Sequence, residues 1–348
     1  MNKKTKIPVI VVLLHLSYCF VTAQQNDSAY NYMATIGREY ANITENYLSY
    51  SSAVAHSKSA KKSEHKRIDF IKSIGLARAR IASMPAFRGN ATFRDSVVSY
   101  LTLTYHVMNE DYGKIMDLEE IAEQSYDLME AYYLAQDMAS EKMRMASNKL
   151  NLIEKDFAAR YNIQLSEQQS DISKKVETVN SVQRHYTQVY LILFKSHKQE
   201  AYLLEALNKK DMNAAEQNRN ALLQTAVEGL SKLDTLSVYK NDRSLVTACR
   251  KALGFFSMEA NDKMPAVIDY YLKADNFEKV RDAFEAIPQM ARTQTDVEQY
   301  NKAVNEYNTA SRSMNVINNS LNQSRTNVMN NWNTIADVYL QRHTPKAR

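Results

Sequence analysis

The sequence predicts an all-α protein of long-helix bundles with coiled-coil-like seams, arranged as two duplicated helical halves. Three observations carry this reading. Glycine and proline are scarce: no glycine falls between Gly113 and Gly229, and no proline between Pro85 and Pro265. Sheet proteins need turn residues every several positions, so these gaps point to long helices. Apolar residues recur at alternating steps of three and four, the spacing of a helix seam. Finally, a turn leading into a helix occurs twice, as FRGNATFRDSVVSYL at 87–101 and YKNDRSLVTACRKAL at 239–253.

Residues 1–23 read as a secretory signal peptide. Lys3, Lys4 and Lys6 form a basic start, Ile7 to Leu14 begin the apolar stretch, and Val21-Thr22-Ala23 supply the small residues before cleavage. Lipidation at Cys19 competes with this, but a lipoprotein signal needs a small residue before the cysteine, and Tyr18 stands there. The expected mature chain is therefore exported, to the periplasm, the cell surface or the medium, with no transmembrane span.

The first seam is Met33, Ile36, Tyr40, Ile43, Tyr47, Tyr50 and Val54. Phe70, Ile74, Ala77, Ile81 and Met84 repeat the pattern up to Pro85, with Gly89-Asn90 as turn residues beyond. Thr92 is expected to cap the next helix, whose inner face is Phe93, Val97, Leu101 and Met108, and Asn109 to Gly113 to break it. A seam from Ile115 becomes strict at Ala139, Met143, Ala146, Leu150, Ile153 and Phe157. Ser166 and Gln169 have capping-box spacing at a hairpin. Ile172, Val176, Val179, Tyr186, Tyr190 and Leu193 carry the return helix, which NKKD at 208–211 interrupts. A helix over 212–236 follows, then one with Leu245, Cys249, Leu253 and Phe256 inward. Pro265 suits the first turn of the next helix, and Pro288 ends or kinks it. From Val297 to Tyr339 the alternation never slips, but Ser311, Asn318 and Arg325 are polar seam positions. Either one continuous helix of about 65 Å or a fold-back near 308–315 satisfies this pattern.

Pairing Phe87 with Tyr239 sets an offset of 152 that aligns Phe93 with Leu245, Val97 with Cys249 and Leu101 with Leu253. The period is far longer than that of short helical arrays, which favours two bundles over a solenoid. The expected divisions are a first half over 24–165, a second half over 166–342, and a disordered tail at 343–348.

Loss of the leader lowers the basic residues from 44 to 41 against 39 acids, a net of +2, which gives no argument for nucleic-acid binding. Cys249 becomes the only mature cysteine, so no internal disulfide is possible and the core must supply stability. No HExxH, CxxC, glycine-rich phosphate loop or GxSxG occurs. The expected function is therefore non-enzymatic, with no catalytic residue, cofactor or metal assigned.

Several features invite a functional reading. His56, His197 and His343 sit near ends of aromatic-rich stretches, and only His197 has a carboxylate, Glu200, at i+3; a metal site needs more ligands on that face. Met143 and Met145 form an M-x-M pair, yet positions two apart on a helix face different ways, which favours core filling for Met143. Lys58, Lys61, Lys62, Lys66 and Arg67 form a basic patch fit for an acidic glycan, headgroup or partner, or else a solvated helix joint. The 22 tyrosines, among them Tyr132 and Tyr133, suit either a wide bundle interior or a binding groove.

An export signal followed by two tyrosine-rich halves, the second opened by HYTQVYLILFKSHKQEAYLLEALNKKD at 185–211, resembles a family of uncharacterised helical surface proteins of spirochaetes and Bacteroidetes-type bacteria. The resemblance implies an envelope or surface location and an all-α fold, and brings no catalytic residues with it. By the same analogy, Asp27-Ser28-Ala29, Asp95-Ser96-Val97 and Asp234-Thr235-Leu236 fit a short acceptor pattern for O-glycans, with Thr235 the best candidate because it lies nearest a turn.

The function expected is that of an envelope or surface scaffold, or a module binding an envelope protein or glycan. The alternative is a small-ligand carrier or sensor module with a tyrosine-lined cavity in one bundle.

Overall fold

The computed structural model describes residues 28–57, 59–111, 125–165 and 171–347. The leader with Cys19, Asp27, Lys58, Gly113, the start of the seam at Ile115 and the Ser166/Gln169 pair lie outside them, as does the side chain of Tyr132. Among the described residues the fold is all-α, with one isolated bridge between Phe87 and Asn90 and no strand. Contacts divide the chain into two units, Met1–Thr187 with Asp337–Arg348, and Gln188–Ala336. The divisions fall inside two long helices rather than in the expected turn near 165.

In the first unit α1 (Ser28–His56) buries Met33, Ile36, Tyr40, Ile43, Tyr47 and Tyr50, the seam read from the sequence. Each such side chain removed from water contributes about 1.5–3 kcal/mol, which outweighs weak local propensity. The Ser59 hydroxyl starts α2 (Ala60–Ala82) by accepting the Lys62 amide at 3.2 Å. Its inward residues Phe70, Ile74, Ala77 and Ile81 are fully buried, and α2 packs on both α1 and α3 (Thr92–His106). Thr92 is not the cap of α3: the Asn90 carboxamide oxygen accepts the Thr92 amide at 2.8 Å, so the cap comes from the turn itself. The break expected over 109–113 lies partly outside the described residues, and as far as Asp111 the helix is not broken. It passes into a π-helical segment, Val107–Asp111, that buries Val107 and Met108.

α4 (Tyr126–Arg160), capped by Ser125, packs on α3. Phe87, Phe93, Phe157 and Tyr161 meet there at ring separations of 4.8–5.6 Å. The inner face of α4 drifts from the strict seam: Ser147 and Glu154 are buried where Ala146 and Ile153 were expected. The start of α5 (Asp171–Asn208) completes this unit, with the Tyr47 hydroxyl donating to Asn180 Oδ1 at 2.8 Å. Residues 343–347, expected as a loose tail, instead lie against α1. His56 Nε2 is 3.0 Å from the Thr344 carbonyl oxygen, and the Ala347 amide donates to the Ser52 hydroxyl at 3.1 Å. Backbone hydrogen bonds hold a stretch whose composition carries no helical or apolar signal.

In the second unit the remainder of α5 is followed by α6 (Met212–Thr235), capped by Asp211, and by α7 (Ser244–Met258). A second π segment, Glu259–Lys263, leads into α8 (Met264–Ala286), with Pro265 in the first turn and Pro288 just beyond the end. Then α9 runs unbroken from Gln294 to His343, 50 residues or about 75 Å. The fold-back near 308–315 does not occur. Ring contacts with α8, Phe277 on Tyr307 at 5.0 Å and Phe284 on Tyr300 at 4.6 Å, hold this stretch as helix, while Asn315, Asn318 and Asn319 face solvent.

The offset of 152 recurs in the backbone. Ser59 and Asp211 cap α2 and α6; Arg88 and Lys240 have φ of 48° and 46°; α3 and α7 each span 15 residues; both π segments span five.

Candidate functional site

Glu200 lies on the buried face of α5 with Ser196 and Leu203, where a helix of this spacing presents a core side chain. Arg325 occupies a seam position of α9. Glu259 opens the second π segment, at the position held by Val107 in the first. The three meet in the second unit. Arg325 Nε donates to Glu200 Oε1 at 2.5 Å, Nη2 donates to Glu259 Oε1, and Nη1 donates to Asn322 Oδ1 at 2.7 Å. His197 Nδ1 stands 3.5 Å from Glu200 Oε2.

Both carboxyls are almost wholly buried, 1% exposed at Glu200 and 0% at Glu259. Two negative charges against one guanidinium would leave an uncompensated charge in a medium that solvates it poorly. Burial first, then the Glu200 carboxylate, push Glu259 up to about 8, so it keeps its proton at neutral pH. Burial also works against ionised Glu200, but the neighbouring His197 ring and the Arg325 charge outweigh it and hold that carboxyl below its usual range. The cluster is then one anion, one cation and one neutral acid, which can hold or release a single proton.

A second buried acid lies in the first unit. Glu154 lines a cavity of about 20 Å³ with Met33, Ile36, Gly37, Tyr40 and Leu150 among its walls. That is room for about one water. Burial pushes Glu154 up to about 7.

Of the features singled out in the sequence, His197 and Arg325 meet at Glu200, and the others are not brought together. Thr235 is the exposed last residue of α6, its hydroxyl donating to the Lys232 carbonyl at 3.1 Å. Ser96 is helical and bonded to the Thr92 carbonyl. Of the basic patch, Lys61 and Lys62 are exposed, Lys66 pairs with Asp69 at 3.5 Å, and Arg67 grips Glu64 through two bonds of 2.9 and 2.8 Å. His56 Nε2 meets the Thr344 carbonyl and His343 packs on Tyr339 at 4.7 Å. No group of three or more His, Cys, Asp or Glu placed to hold a metal occurs among the described residues. Met143 is core and Met145 is 63% exposed, as their spacing predicts. Tyr40, Tyr47, Tyr186 and Tyr339 are fully buried. Cys249 donates to the Val189 carbonyl at 3.8 Å, and burial pushes its thiol up to about 12, far from a reactive thiolate.

Sequence reading missed Glu259 and Glu154. The available signal was an acid where the helical pattern calls for an apolar residue, most plainly Glu259 opposite Val107 under the offset.

Fold and site together define an all-α helical-bundle protein with a buried charge cluster in one unit. Comparison with protein-family models, characterised proteins and solved structures finds no match. No described helix is long and apolar enough to cross a membrane.

Proposed function

We propose that this is an exported, non-enzymatic helical protein of the cell envelope or surface that binds another macromolecule, an envelope protein or glycan, through its helix faces. The observation that carries this reading is an apolar stripe on α4. Leu134, Met138, Met145 and Leu152 are 60%, 58%, 63% and 70% exposed. At 100° per residue they fall within about 40° of one line, over roughly 27 Å of helix. Aligned exposed apolar side chains mark contact surfaces more often than scattered ones do. The carrier reading has less support, because the Tyr40 cavity has room for about one water and Tyr40, Tyr47, Tyr186 and Tyr339 pack as core.

A duplicated construction fits the same reading, since it places two similar helical units in one chain. Its support is the shared cap, turn, helix length and π segment at an offset of 152.

The test is a photo-crosslinking residue at Met145 or Leu152 in the native cell, with Asp275 on α8 as control, followed by capture of the tagged protein and mass spectrometry. One abundant adduct specific to the α4 positions is the expected result. Equal labelling at all three positions, or none, removes the stripe as a docking face.

A further inference from the structure

The two π segments match in place and length, but only the second begins with a charge. Val107 needs no partner. Glu259 at the matching position is clamped to α5 and α9 by Arg325, while its Oε2 is buried without a hydrogen-bond partner. A π turn is a local insertion into the α-helical ladder and is common where a helix must adapt. This one stands at the base of α8, which buries little beyond Met264, Val267 and Ile268. The side-chain anchor at Glu259 and these three residues together tie the segment and the α8 base to the unit.

We propose that Glu200, Arg325 and Glu259 form a one-proton switch: with one proton on this pair of carboxyls the cluster is neutral and closed on the second π segment, and its loss leaves a buried net charge that loosens this segment and the base of α8.

The charged groups around the switch come from every packed element. Glu200 and His197 face it from α5, and Arg325 from α9. From α6, Arg219 donates to the Ala260 carbonyl at 3.3 Å while gripping Glu216. Asp262 and Lys263 follow on the segment itself. Arg219 is already committed to Glu216, so Arg325 is the cation bonded directly to both buried carboxyls. The direction of the response follows from Glu259. Its folded-state proton affinity lies above that of the unfolded chain, where a glutamate titrates at about 4.3. Between that value and about 8 the folded form holds a proton the unfolded form lacks, so stability falls as pH rises through the window and levels off above it.

Hydrogen exchange across residues 259–268 of the full chain, corrected for intrinsic rates, tests this between pH 6 and 9. Wild-type protection is expected to fall by up to about tenfold per pH unit, the limit for one proton, and to level off near pH 8. Glu259→Gln, which keeps the shape and cannot ionise, is expected to stay flat. A wild-type profile that is flat, or a Glu259→Gln profile that falls like wild type, overturns the switch. If Glu259→Gln does not fold, carboxyl 13C NMR of wild type decides instead: a Glu259 titration above pH 6 supports the switch, and one near 4.5 sinks it.

Discussion

Arg88 and Lys240 stand 152 residues apart and hold the same left-handed backbone, with φ of 48° and 46°. Each lays its cation 5.4 Å from the ring before it, Phe87 or Tyr239. The residue two positions on, Asn90 or Asp242, then accepts the first amide of the next helix at 2.8 or 2.9 Å. Non-glycine residues avoid this region at a cost of about 1–2 kcal/mol, so the surrounding contacts must hold each turn in place.

The twin turns should respond alike. Asn90→Ala and Asp242→Ala each remove one helix-start bond and are expected to cost about 1 kcal/mol. Gly89→Ala, at φ 81°, is expected to cost about 1–2 kcal/mol. Urea unfolding measures all three; twin losses that differ severalfold would show that the turns are alike in shape but not in load.

Glu154 gives a second, independent dependence on pH. Its folded proton affinity, raised to about 7 by burial, exceeds the unfolded value, so it lowers stability progressively as pH rises from about 4.3 to about 7. Glu154→Gln is expected to match wild type near pH 4 and to exceed it by at most about 4 kcal/mol at pH 8. Urea midpoints at pH 4, 6 and 8 check this, and a constant gap at all three pH values would mean that the carboxyl is not buried in its neutral form.

Two helical glycines should behave in opposite ways. At Gly37 a Cβ meets nothing within 4 Å, so Gly37→Ala is expected to stabilise by about 0.5–1 kcal/mol. At Gly229 it would lie 2.9 Å from Leu253 Cδ1 and 3.1 Å from Ile192 Cγ2, so Gly229→Ala is expected to cost about 1–3 kcal/mol. Thermal melting of both variants tests the packing on α1 and α6.

The helices were legible because their burial is periodic. Tyr40, Ile43 and Tyr47, or Leu245, Cys249 and Leu253, repeat at the spacing that brings one face of a helix inward, and each proved buried. The turn at 87–90 was legible because its residue types are turn formers. Less visible was how α3 continues past Asn109: a π turn needs only one added residue in the ladder, and no residue type announces it. The candidate site was partly in view. Arg325 stood out as a polar residue on a seam and Glu200 as the carboxylate three positions after His197, but 125 positions separate Glu200 from Arg325, and nothing local joins them.

By itself the sequence determined the all-α class, the inward faces of most helices and the paired turns, because these follow from spacing and residue type within a few turns of chain. Tertiary structure alone decided that α9 continues as helix past Asn308, where rings on α8 support it. It also decided that residues 343–347 bind α1 through their backbone, and that Glu259 shares an arginine with Glu200. Those outcomes depend on which surfaces meet across long separations, and the energy of a buried charge is set by its neighbours in space rather than in sequence.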